Sequence, residues 1–218
     1  VVNPDDLVKE FGADAVRLYI LFIAPFSQSA SWDNRGVLGT ARFLEKVWRT
    51  GVDLVNSKQQ TVNSDEKIQR LLHRTIKKVG EDIESMSFNT AVSAMMIFMN
   101  EITSGESRVA NGDWQLFVRL LSPFAPHIAE ELWTMAGGKG LVSLTEFPKH
   151  DESLLLENTF ELVVQVNSKV RGKIKMARGS TESQALTQIK SDPEIAKWLT
   201  GEIKKVIFIA DRLINIIV

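Results

Sequence analysis

The chain has 218 residues, 44% of them apolar and 24% charged, with a formal net charge of −1, which suits one large or two small folded domains and excludes disorder as the main state. It contains no cysteine, which excludes a disulfide framework and any thiolate metal site. No apolar run reaches the ~18 residues needed to span a bilayer, and the N-terminus carries no signal-peptide pattern, so a cytoplasmic setting without a membrane partner is expected.

Asn3 is placed to cap a helix whose first turn is Pro4-Asp5-Asp6. Gly12 interrupts it, residues 13–24 continue, and 25–31 read as a polar loop. A long helix is predicted over 36–55, with Val37, Phe43, Leu44, Val47, Trp48 and Leu54 in the core; 59–63 is a loop. Residues 64–86 have the cleanest helical period, with Ile68, Leu71, Leu72, Thr75, Ile76, Val79, Ile83 and Met86 as the inward stripe. The pattern repeats over 88–102 through Val92, Met95, Met96, Met99 and Ile102; those methionines are read as core filler. A helix over 113–121 must stop or kink at Pro123 and Pro126, which lack backbone donors. Pro126 then suits the first turn of a new helix running to Ala136. Gly137-Gly138-Lys139-Gly140 ends the bundle, and 137–158 is expected as a linker.

The period then changes. Residues 160–166 and 170–176 alternate at period two, a hairpin signal; 180–189 and 193–199 read as helices; 206–210 and 213–218 are β-branched runs. A helical bundle followed by a small ββααββ domain makes the fold class mainly α with an α+β tail. Residues 160–218 hold 10 Lys+Arg against 6 Asp+Glu, a net of +4, whereas the preceding part carries −5. A basic tail behind an acidic bundle points to a polyanionic partner for the tail.

Two cationic stripes stand out. Lys169, Arg171, Lys173 and Lys175 share one face of the second tail strand. A two-residue turn at Asn167-Ser168 would pair Val164 with Arg171 and mix the faces, because a slip of one residue flips every side chain. A three-residue loop, Val166-Asn167-Ser168, pairs Val164 with Val170 and Glu161 with Lys173, giving an apolar inner and a basic outer face; Ser168 would be its left-handed residue. The second stripe, Lys67, Arg70, Arg74, Lys77 and Lys78, lies opposite the apolar stripe of 64–86, at spacings of three and four. Either stripe suits a phosphate backbone; the plainer reading is a solvated face that discourages edge aggregation in one case and an ordinary helix surface in the other. His127 has no metal-ligand spacing around it and reads as a structural residue at a helix start. Asp5 and Asp6 read as first-turn helix charges rather than paired catalytic carboxylates. The five tryptophans are scattered and suggest no base-stacking platform. No phosphate loop and no nucleophile motif is present.

Ser122-Pro123-Phe124-Ala125-Pro126-His127-Ile128-Ala129-Glu130-Glu131-Leu132-Trp133 resembles the bundle motif of class I aminoacyl-tRNA synthetases for aliphatic amino acids. Val1-Val2-Asn3-Pro4-Asp5-Asp6-Leu7 and Phe11-Gly12-Ala13-Asp14-Ala15-Val16-Arg17-Leu18-Tyr19 resemble the segment after the Lys-Met-Ser-Lys-Ser signature in bacterial-type leucyl-tRNA synthetases, and 163–173 with 203–218 resemble their C-terminal domain. Ser168 stands where that family more often has glycine, and Ala210-Asp211 where Pro-Gly is commoner. The resemblance implies a C-terminal fragment, without an initiator Met, divided into a stem-contact region (1–31), an anticodon-binding-type helical bundle (32–136), a linker (137–158) and a tRNA-binding α+β domain (159–218). It implies tRNA(Leu) and the upstream catalytic and editing domains as partners. It implies no catalytic residue, metal or cofactor in this chain, with ATP and Mg belonging to the parent ligase. Lys169, Arg171, Lys173 and Lys175 would meet the tRNA elbow, and Arg70, Arg74 and Lys77 the anticodon stem. The rivals are a valyl or isoleucyl enzyme, whose usual terminal coiled coil or zinc module is missing here, and a non-catalytic protein-interaction module.

Overall fold

The structure, a computed structural model, describes residues 2–57, 63–104, 107–155 and 159–218. The loop expected at 59–63 lies outside them except for Asn63, as do 156–158 of the expected linker. The chain forms two compact units that meet at Leu155/Leu156.

Unit 1 is helical: α1 (Pro4–Phe11), α2 (Ala13–Phe22), α3 (Asn34–Asn56), α4 (Glu66–Glu84), α5 (Phe88–Thr103), α6 (Asn111–Leu121), α7 (Pro126–Met135), a 3₁₀ turn at Val142–Leu144 and the short α8 (Glu152–Leu155). Asn3 caps α1 as its position predicts, accepting from the Asp5 N–H. The core joins Ile68, Leu72, Ile76 and Val79 of α4 to Val92, Met95, Phe98 and Met99 of α5 and to Trp114, Phe117 and Leu121 of α6. Phe98, Phe117 and Trp114 stack in succession, with centroids 5.0 and 5.4 Å apart.

Two residues expected in the core are not there. Trp48 is exposed, because it lies about 100° round α3 from the fully buried Val47. Met86 is exposed because the helix has already ended. Ser87 N donates to Asp82 O and Met86 N to Ile83 O, which is a Schellman cap, and Met86 occupies its left-handed position at φ 58°. At the end of α7 the same two bonds recur with Gly137 in that position, at φ 82°.

The proline break has a definite partner. Asp14 of α2 is buried. Its Oδ2 accepts from the Ile128 N–H at 2.9 Å, and its Oδ1 lies 2.8 Å from His127 Nδ1. A carboxylate thus sits on the free N–H groups and positive dipole end of α7, and His127 has a structural place there. Glu130, one turn on, accepts from Val142 N, Ser143 N and Ser143 Oγ. Burial raises its pKa, but these bonds outweigh that and leave the carboxyl below its ordinary 4.5. Residues 137–155, expected as linker, therefore fold onto unit 1. Val142 is buried, and the Asp151 N–H donates to His73 Nδ1 of α4 at 2.9 Å.

Unit 2 has the anticipated order: β1 (Thr159–Val166), β2 (Lys169–Ala177), α9 (Glu182–Ser191), α10 (Pro193–Ala196), β3 (Lys205–Ile209) and β4 (Leu213–Ile217). Thr181 and Gln184 close a capping box on α9. The sheet order is β2-β1-β4-β3, with β1 and β4 parallel and both hairpin pairs antiparallel. Phe160, Leu162, Val164, Ile174, Met176, Ile214 and Ile216 form its core with Ala185, Ile189 and Ile195 of the helices.

Candidate nucleic-acid interface

The β1–β2 hairpin departs from the expected register. Its loop has two residues, not three: Val166 pairs with Lys169, and Asn167 and Ser168 both have positive φ, 49° and 63°. That backbone matches the twist of the flanking strands, which is why such turns dominate tight hairpins. The turn is also held by β4. Ser168 N donates to Asn215 Oδ1 at 3.0 Å, Asn167 N donates to Ile216 O, and Val218 N donates to Asn167 Oδ1. Facial order is restored one step later by a bulge. Gln165 pairs with Val170 and Val164 with Gly172, so Arg171 is the extra residue. Beyond it Val163 faces Lys173 and Glu161 faces Lys175, in place of the expected pairing of Glu161 with Lys173. An odd loop and a bulge solve the same parity problem, and alternation alone does not distinguish them.

The bulge splits the expected basic stripe. Lys169, Lys173 and Lys175 are exposed. Lys173 Nζ reaches diagonally to Glu161 Oε2 at 3.0 Å. Lys169 and Lys175 have no carboxylate partner among the described residues. Arg171 leaves the stripe: its guanidinium lies 3.7 Å from the centroid of the Trp198 ring, just past α10. Gly172 admits this packing, since a Cβ there would sit 2.7 Å from Ile195 Cδ1. Lys204, Lys205 and Arg212 also lie in this unit, outside the expected set.

The α4 ridge is largely neutralised. Lys67 pairs with Glu101, Arg70 with Glu66 at 2.7 Å, Lys77 with Glu152 at 3.8 Å and Lys78 with the buried Asp82 at 2.5 Å. Arg74 is exposed. A second set on this unit, Arg42, Lys46 and Arg49 of α3, lines a groove with Ile102 and Thr103; its spacing of four and three was readable in the sequence. Among the described residues no three His, Asp or Glu side chains converge to hold a metal ion, and no helix is long and apolar enough to cross a membrane.

Residues 65–186 match the sequence model of the anticodon-binding domain of tRNA ligase. The match runs from the N-cap of α4 into α9 and so takes in parts of both units. Over its whole length the chain is 47% identical to a leucine–tRNA ligase of Leptospira biflexa, covering 25% of that protein. It is 40% identical to one of Herpetosiphon aurantiacus, covering 28%, so it spans about a quarter of these relatives. Among solved structures, it resembles a ternary complex of Agrobacterium radiobacter LeuRS, tRNA and LeuAMS, with a TM-score of 0.76 and 32% identity over all of this chain and 30% of that one. With more than half of its residues inside the matched segment, the chain belongs to the family of the anticodon-binding domain of tRNA ligases.

Proposed function

We propose that the chain is the tRNA-binding C-terminal part of a leucine–tRNA ligase, which positions tRNA(Leu) for ATP-dependent leucylation by upstream catalytic and editing domains in the cytoplasm. The observation that carries this reading is the similarity to leucine–tRNA ligases over the whole length of the chain. The surface chemistry is consistent with it: residues 160–218 are net positive, and Lys169 and Lys175, without ion-pair partners among the described residues, are exposed on the hairpin. Contacts are assigned to backbone phosphates and overall shape, since neither stripe offers a set of side chains built to read base edges. ATP and Mg belong to the ligase as a whole, and the residues of this chain have no part in holding them. The four domains keep the limits 1–31, 32–136, 137–158 and 159–218 as functional divisions, although 137–155 pack with the bundle. Lys169, Lys173 and Lys175 are the principal tRNA contacts, with Arg70, Arg74 and Lys77 secondary because acidic neighbours already neutralise much of the charge of Arg70 and Lys77.

Filter binding of tRNA across a salt series tests the reading. Affinity should fall linearly in log K against log salt, because each phosphate contact releases counterions. Leucine-dependent pyrophosphate exchange by the chain alone should be absent; clear exchange in a preparation free of host synthetase would refute the division of labour.

A further inference from the structure

Arg171 is the extra residue of a bulge, and its guanidinium is stacked on Trp198. It makes no hydrogen bond or ion pair among the described residues. Its Nε is shielded from solvent and has no acceptor, while its two terminal nitrogens are not shielded in this way. An ordinary surface arginine keeps all its donors in water, and a structural one engages a carboxylate or carbonyl. This one does neither. A guanidinium held flat by a ring loses little further freedom on binding, and its terminal N–H groups form a fork that matches two oxygens of one phosphate.

We propose that Arg171, oriented by Trp198, is a preformed arginine fork that takes one RNA phosphate on the helix side of unit 2, separate from the lysine stripe on the other face of β2. The inference rests on the RNA-binding reading and deepens it. Arg171 is the contact residue and Trp198 its positioning residue. RNA is favoured over an acidic protein because the fork lies within residues 160–218, whose net charge is +4, and two residues along the strand from the exposed Lys169. A charge-only site accepts lysine in place of arginine, whereas a fork does not.

The test measures tRNA affinity and salt slope for the whole chain and for Arg171→Lys, Arg171→Met, Trp198→Phe and Trp198→Leu, with thermal melts of each. Arg171→Lys should bind about tenfold more weakly despite keeping its charge, with a melting midpoint close to that of the parent. Arg171→Met, which keeps the stem over the ring, should lose at least as much. Trp198→Phe should retain most of the affinity and Trp198→Leu should not, because only the ring holds the fork flat. Binding of tRNA should also change the fluorescence of the parent, and that change should shrink in Trp198→Phe. Normal affinity in both Arg171 variants would overturn the inference while leaving the RNA-binding reading intact, as would a fluorescence response to polyglutamate and none to tRNA. No salt-dependent tRNA affinity in the parent chain would remove the reading itself, and the inference with it.

Discussion

The two cationic surfaces of this molecule are almost alike as sequence and unlike as structure. On α4, Lys67, Arg70, Lys77 and Lys78 each face an acidic side chain, and one of these acids, Asp82, is buried. On the β1–β2 hairpin, Lys169 and Lys175 face none among the described residues, and Lys173 shares its charge with an exposed glutamate. A helix that carries its own acids at four-residue spacing finds partners there, and it meets others across the bundle. A strand in a basic domain finds few. What makes a basic stripe available to a polyanion is the supply of acids around it, not the number of lysines it contains.

The most direct way to break this comparison is charge reversal on both surfaces. Lys169→Glu with Lys175→Glu should weaken tRNA binding by about tenfold or more at low salt and flatten the log–log salt slope by roughly 1.5 to 2, the release expected for two phosphate contacts. Arg74→Glu with Lys77→Glu should change affinity by less than about threefold, since that surface is already close to neutral. Equal losses from the two pairs would mean that local pairing does not decide availability.

Stability should show the opposite ranking. Lys78→Ala leaves the buried Asp82 side chain, among the described residues, with only the Thr90 hydroxyl at 2.8 Å, and should cost ~1–2 kcal/mol in denaturant unfolding, discounted because Lys78 itself is half exposed. Lys173→Ala removes a fully surface pair and should cost less than ~0.5 kcal/mol. If the two losses match, the α4 pair is no more structural than the hairpin pair.

Two smaller effects sharpen the account of unit 1. Met86→Gly should stabilise by ~0.5–1 kcal/mol, because a left-handed Cβ is removed at a cap that keeps both of its hydrogen bonds. Gly137→Ala should destabilise by a similar ~0.5–1 kcal/mol for the converse reason. The last effect concerns Glu130. Its folded pKa lies below its ordinary 4.5, so its carboxylate contributes stability that is complete above that value and fades as pH falls through the lower folded pKa. Glu130→Gln should therefore flatten the acid limb of the unfolding curve below about pH 4.5, leaving neutral-pH tRNA affinity unchanged. An acid limb identical to that of the parent would show that the contacts from Val142 and Ser143 do not depend on the charge.

Outside 137–155, where the 3₁₀ turn and α8 stand in a stretch read as linker, element type and order were legible in the residues alone. The period of α4 and α5, the proline break before α7 and the alternation of the tail strands are local patterns, and local patterns follow from the geometry of a helix or a strand. So were the family resemblance and the apolar stripes, apart from Trp48, one step round the helix, and Met86, two residues past the end of α4. Which way the hairpin recovers its parity was not legible. A three-residue loop and a two-residue turn with a bulge satisfy the same alternation, and the choice is made by Asn215 and the end of β4, almost fifty residues away, which grip the turn. The same long-range packing moves Arg171 from the lysine stripe onto Trp198, and brings Asp14 to the start of α7 across more than a hundred residues. Sequence patterns report what each segment prefers by itself. The partners of a charge, the phase of a strand and the cap of a distant helix depend on which segments meet, and only the folded chain decides that.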